Sequence, residues 1–155
     1  MKENEMKRKI AKGSVLLFLV FFLVACEKEL REVKYNYKIG KFEISSTYLV
    51  RGNEITQQIS TVTVPYFMMD VSNEEEAKVK IESVLELVAN VKGVEYKVKY
   101  EDVRIVQEFK IDYSEADPVE VSEITGIAVY PNNSGKVNFE KTEEILLKGG
   151  YKKID

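Results

Sequence analysis

The sequence predicts an α+β domain: an antiparallel sheet of four strands or slightly more, in the order ββ-α-ββ-α-α, with helices packed on one face. Three observations predict it. Two hairpin patterns stand apart in the chain, each alternating apolar and polar residues at the period of a half-buried strand. Between them lies a stretch whose apolar residues recur at helical spacing. A sheet with one apolar face needs a cover, which that helix and a later one can supply.

The first hairpin opens at Phe42-Glu43-Ile44-Ser45-Ser46-Thr47-Tyr48-Leu49-Val50, where Phe42, Ile44, Tyr48 and Val50 can share a face. Arg51-Gly52-Asn53-Glu54 turns the chain, since Gly and Asn tolerate positive φ. The β-branched run Ile55 to Val64 returns and Pro65 ends it. Tyr35 to Ile39, before Gly40, either extends the first strand or forms another. Ser72-Asn73-Glu74-Glu75 reads as a capping box with Ser72 as N-cap. Ala77, Ile81, Val84, Leu85, Val88 and Val91 then follow at helical spacing, and Lys92-Gly93 supplies a basic last turn and a C-cap.

In the second hairpin Val94, Tyr96, Val98 and Tyr100 alternate with charged residues. Glu101-Asp102 turns, and Val103, Ile105, Phe109, Ile111 and Tyr113 alternate in the return strand. Asp117-Pro118 starts a short helix that Gly126 stops. Ile127 to Tyr130 reads as extended and Pro131 to Gly135 as a loop. Asn138 caps a last helix carrying Phe139, Ile145 and Leu146, closed by Gly149-Gly150.

Charge is distributed unevenly. The 155 residues hold 23 Lys and Arg, 26 Asp and Glu, and no His. Residues 1–25 carry five basic and two acidic side chains, a net of +3, which leaves 18 basic against 24 acidic, a net of −6, beyond them. An acidic body argues against nucleic acid as a partner, because phosphate binding needs a cationic face.

The basic head has three parts in order. Met6 to Lys12 is positively charged, Val15 to Leu23 is apolar, and Leu23-Val24-Ala25-Cys26 follows. Ser14 to Ala25 falls well short of the roughly 20 apolar residues of a stable span. Leu-Val-Ala-Cys resembles the bacterial lipobox. That resemblance implies cleavage between Ala25 and Cys26, and a diacylglyceryl group, with palmitate-type chains, on the Cys26 thiol. Each buried CH₂ contributes about 0.8 kcal/mol, so two chains hold firmly where one does not. The expected organisation is therefore a signal peptide over 1–25, a lipidated tether over 26–32 and one globular domain over 33–155. The expected location is the cell membrane, lipid-anchored on the extracytoplasmic side. A single Cys permits no internal disulfide.

The body resembles the YehR-like small bacterial lipoproteins, a domain family without assigned activity. The resemblance rests on Arg51-Gly52-Asn53-Glu54, Thr63-Val64-Pro65-Tyr66, Asn73-Glu74-Glu75-Glu76-Ala77, Lys92 to Tyr100 and Asn138 to Thr142, in order, together with the lipobox. It implies an α+β fold, an envelope location and a lipid anchor, and carries over no catalytic residue. The segment Asp117 to Gly126 departs from the longer amphipathic helix of the family.

Chemistry is constrained by what is missing. No His and one Cys remove the usual zinc ligands and the Ser-His-Asp and Cys-His arrangements, leaving carboxylates, Lys and Tyr as bases. The glycines are scattered turn and cap residues rather than a phosphate loop. Glu74-Glu75-Glu76 with Asp70 invites a cation reading, but acidic residues gather in a first helical turn because the dipole favours them there. Neither a catalytic site, a metal nor a cofactor is expected. One run stands out: Tyr66, Phe67, Met68 and Met69 follow a strand-ending Pro and are too apolar for a simple loop, so they form either a core plug or an exposed binding lip. The expected function is a non-catalytic binding or interaction module recognising an envelope ligand or protein. The alternative is a small envelope enzyme using carboxylate or Tyr chemistry near Tyr66–Met69.

Overall fold

A computed structural model describes residues 28–127 and 129–154. Ala25 and Cys26 therefore lie outside the described residues. Among these residues seven strands form one antiparallel sheet: β1 (Leu30–Ile39), β2 (Phe42–Arg51), β3 (Glu54–Pro65), β4 (Val94–Glu101), β5 (Arg104–Asp112), β6 (Val137–Asn138) and β7 (Lys152–Ile154). The order across the sheet is β4-β5-β3-β2-β1-β7, with β6 paired to the start of β3. Among the described residues three α-helices, α1 (Glu74–Val88), α2 (Pro118–Thr125) and α3 (Phe139–Lys148), supply the core's other layer.

The α+β class and the two hairpins match the expectation; the strand count and element order are corrected. Tyr35 to Ile39 belongs to a strand of its own, which starts at Leu30 and pairs along its full length with β2. Leu30, Arg31 and Glu32 are thus strand residues within the segment read as tether. Two short strands, β6 and β7, extend the sheet. Ile127, Val129 and Tyr130 make no strand; there the chain is held by Tyr130 N–H donating to Thr142 Oγ1 (3.1 Å) and Asn138 N–H to Tyr130 O (2.9 Å).

Register decides which residues face the helices. Val33, Tyr48, Gln58, Ile111 and Val94 form one row across the sheet; Tyr35, Ser46, Ser60, Phe109 and Tyr96 form the next. Then come Tyr37, Ile44, Val62, Gln107 and Val98. A bulge at Thr56, where β2 and β3 shift register between Leu49 and Val50, lets Ile55 and Gln58 point to the same side. The opposite face carries Lys34, Thr47, Lys110 and Glu95 and is open to solvent.

Helix ends follow local chemistry, with two corrections. The N-cap of α1 is Asn73, not Ser72: Asn73 Oδ1 accepts from Glu76 N–H at 2.9 Å, and Glu76 Oε2 accepts from Ser72 N–H at 2.8 Å. The helix also stops at Val88 with Ala89 as C-cap, short of Lys92. Gly93 instead makes a turn into β4 at φ +75°, where a Cβ would lie 2.8 Å from Asp112 O and 2.7 Å from Ala116 N. In α2, Asp117 caps Val119 N–H and Pro118 sits at the first position. Gly126 ends it at φ +67°. In α3, Asn138 caps Lys141 N–H.

Candidate functional site

The expected lip splits in two. Tyr66–Met69 forms a single 3₁₀ turn after Pro65. Tyr66 is buried against Ala77, Ile81 and Ile105, and Met69 packs on the same cluster. Phe67 and Met68 face outward, 68% and 50% exposed. The turn is pinned on three sides: Tyr66 N–H donates to Val103 O at 3.0 Å, Val71 N–H donates to Tyr66 O at 3.2 Å, and Lys80 Nζ donates to Met69 O. Asp70 closes it in the left-handed region at φ +53°, which Asp tolerates better than most residues. The Tyr66 hydroxyl is buried with no hydrogen-bond partner among the described residues, and burial raises its pKa. Val103 (63% exposed), expected in the return strand, sits in the β4–β5 turn beside this lip; Ile39 (61%) ends β1 at the same end of the sheet.

Behind the lip lies a trough that sequence reasoning missed. Its volume is about 270 Å³. Val62, Val64, Ile105 and Phe109 of β3 and β5 form its floor, with Gln107; Ile81 and Val84 of α1 form one wall, Ile124 and Thr125 of α2 close an end, and Met69 forms the rim toward the lip. It exists because the helices cover the sheet unequally. Around β1 and β2, α3 seals the end where β1 begins, burying Val33, Tyr35, Tyr48 and Val50 with Phe139 and Leu146. One row beyond Tyr35 on the same face, Tyr37, Ile44 and Val62 are only half-buried.

The polar groups at the trough are mostly engaged. Gln107 Oε1 accepts from Tyr96 O–H at 2.6 Å, and burial pushes the Tyr96 hydroxyl up to about 12. Thr125 Oγ1 donates to Val121 O (2.6 Å) and accepts from Ile127 N–H (3.1 Å). Toward the sealed end runs a buried polar string. Tyr113 O–H donates to Gln58 Oε1 at 2.7 Å, Gln58 Nε2 donates to Ser60 Oγ at 2.8 Å, and Ser60 and Ser46 hydroxyls meet at 2.8 Å. Every member is satisfied, which is what makes a polar string tolerable in a core.

The acidic run Glu74–Glu76 is spent on structure. Glu76 completes the α1 cap, and Glu74 pairs with Lys78 one turn on. Among the described residues no three acidic side chains converge as metal ligands, and no helix is long and apolar enough to cross a membrane.

Known proteins resemble the chain in sequence, and solved structures resemble it in fold. Residues 31–152 match the family described as Protein of unknown function (DUF1307). The chain is 22% identical over 149 residues to the uncharacterized lipoprotein Lin0239 of Listeria innocua, covering 94% of this chain and 97% of that one. It is 25% identical over 137 residues to the uncharacterized lipoprotein YehR of Escherichia coli, covering 88% and 90%. The NMR structure of E. coli YehR superposes with a TM-score of 0.70 at 22% identity, over 82% of this chain and 92% of that one. An NMR structure of a Streptococcus pneumoniae TIGR4 protein superposes with a TM-score of 0.55 at 10% identity, over 84% and 88%, a likeness of fold alone. With the family model spanning nearly the whole described domain, the chain belongs to the DUF1307 family, in keeping with its resemblance to the YehR-like lipoproteins.

Proposed function

We propose that the protein is a lipid-anchored, non-catalytic binding module on the extracytoplasmic side of the membrane, and that the trough with its Met69 rim is its binding site. The trough carries the reading. Ligand sites are concave, mostly apolar clefts with a few placed polar groups, and at about 270 Å³ this one falls just below their usual size. Its lining holds no carboxylate, which favours binding over acid–base chemistry there. The anchoring half rests on the basic, apolar and Leu23-Val24-Ala25-Cys26 succession and on the lipoprotein relatives. Only three residues lie between Cys26 and Leu30, four steps or at most about 14 Å of extended chain, so β1 begins close to the bilayer.

Two measurements test the two halves. Cys26→Ser abolishes fatty-acid labelling and leaves an uncleaved precursor; unchanged labelling refutes the anchor. Native mass spectrometry of the full chain, isolated from its own cells in lipid nanodiscs, detects a non-covalent small molecule that is lost in Ile124→Trp, where the indole fills the trough. A folded wild-type chain that carries nothing, and binds nothing from envelope extracts, overturns the binding reading.

A further inference from the structure

We propose that the trough binds a single-chain carboxylic acid, its hydrocarbon chain lying on the sheet and its carboxylate held at the rim by Lys80. This rests on the binding reading above and names the ligand class for it.

The floor and walls favour a hydrocarbon chain over a peptide. Val62, Val64, Ile105 and Phe109 stand on β3 and β5, interior strands of the sheet whose backbone groups are committed to their neighbours. A peptide laid across them would find no backbone partner for its own N–H and C=O groups, and burying such groups unpaired is costly. The two side chains that could substitute, Gln107 and Thr125, already take part in bonds to Tyr96, Val121 and Ile127. Methylene groups ask for no such partners, and each that leaves water gains about 0.8 kcal/mol.

The rim supplies a charge. Lys80 stands one turn before Val84 on α1, and its ammonium lies at the Met69 carbonyl, on the edge of the trough. No described carboxylate forms an ion pair with it, whereas its helix neighbour Lys78 is paired with Glu74. An apolar slot with one cation at its edge matches an amphiphile with one anionic head. Position narrows the class further. The trough occupies the half of the sheet away from the start of β1, and hence away from the anchor. A ligand there has left the bilayer, which a single acyl chain does readily because one chain binds membranes only marginally.

The test uses the full chain in nanodiscs and a diazirine analogue of palmitic acid as probe. After photolysis, adducts map to 62–69, 81–84 and 105–109, and excess palmitic acid removes them. Ile124→Trp abolishes them while leaving the unfolding midpoint in place. Lys80→Ala weakens competition by palmitic acid about fivefold, the scale of one exposed ion pair, and Lys80→Arg restores it. Methyl palmitate, which lacks the charge, competes equally with wild type and Lys80→Ala. Adducts that excess palmitate leaves in place, or that Ile124→Trp leaves unchanged, overturn the proposal. So does equal competition by acid and methyl ester. If native mass spectrometry finds a different molecule that Ile124→Trp expels, the binding site stands and the fatty-acid assignment falls.

Discussion

One face of this sheet is sealed at one end and half-open at the other. Beside the start of β1, α3 brings Phe139 and Leu146 onto Val33, Tyr35, Tyr48 and Val50, and all six are buried. Two rows away, Tyr37 and Ile44 continue the apolar surface and are only half-buried, and Val62 lies on the floor of a trough that α1 and α2 wall without closing. The strands are the same and the alternation is the same; only the cover differs. Burial, not pattern, sets what a side chain contributes. Ile111 is fully buried, so Ile111→Ala costs about 3 kcal/mol through lost transfer energy and a cavity. Val62→Ala at the trough costs about 1 kcal/mol or less, because its methyls already meet solvent. Urea unfolding of the two variants measures both. Equal losses would mean that the trough closes in solution and that the two halves are one core.

Polar groups sharpen the same contrast. Tyr113→Phe leaves Gln58 Oε1 buried without its 2.7 Å donor, and costs about 1–3 kcal/mol. Tyr96→Phe removes a bond of similar length to Gln107, but water can reach a trough side chain and replace the donor, so the cost is about 0.5–1 kcal/mol. Comparable midpoint shifts for the pair would place Gln107 in a dry core.

How much of this was legible follows from the length of each signal. The two hairpins and α1 were, because 8–15 residues give periodicity room to show. Asp117 and Asn138 were readable as caps, because a cap needs only one side chain and the turn behind it. Ser72 misled because Asn73, next to it, is an equally good cap and has Glu76 three residues on. β6 and β7, of two and three residues, are too short for any pattern and form because neighbouring strands offer unpaired edges. Gln58 and Ser60 face inward while Ile59 is exposed, contrary to hydrophobicity; bonds from Tyr113, 55 residues away, to Gln58 and from Ser46 to Ser60 make that register acceptable. The trough was not legible at all. It is a gap between helices, and its lining strands look like any half-buried strand.

The sealed half also holds a carboxylate whose titration couples to folding. Glu143 on α3 accepts from the Tyr35 hydroxyl and from Lys153 Nζ at 3.0 Å, and the Tyr35 bond, aided by Lys153, holds its carboxyl below the ordinary value of 4.5. A depressed carboxylate contributes stability that is present above its unfolded value and lost as pH falls through the folded one. Stability therefore declines below about pH 4.5 on this account, and Glu143→Gln removes that part of the acid limb. Glu43, on the solvent face with Asn36 and Lys38, is lowered too, yet its carboxylate meets water and salt screens it. Unfolding midpoints from pH 3 to 7 at low and high salt separate them: the Glu143 contribution survives salt. An acid limb unchanged in Glu143→Gln would detach the α3–β1–β7 clasp from the sealed core.

The smallest effect on stability belongs to the lip. Phe67 and Met68 project from a turn whose backbone is fixed by Tyr66 N–H to Val103 O, by Val71 N–H to Tyr66 O and by the Lys80 ammonium on Met69 O. None of those bonds involves either exposed side chain. Phe67→Ser with Met68→Ser should therefore leave the unfolding midpoint within about 0.5 kcal/mol of wild type, as substitutions at exposed sites generally do. Met69→Ser, one residue further, removes a side chain that packs with Tyr66, Ile81 and Ile105, and costs about 1–2 kcal/mol. A loss above 1 kcal/mol in the double variant would mean that Phe67 and Met68 fold back over the open half and complete the cover that α3 supplies at the other end. An unchanged midpoint leaves two apolar side chains held rigidly in water at the mouth of an uncovered trough, an arrangement that costs solubility and adds nothing to the fold.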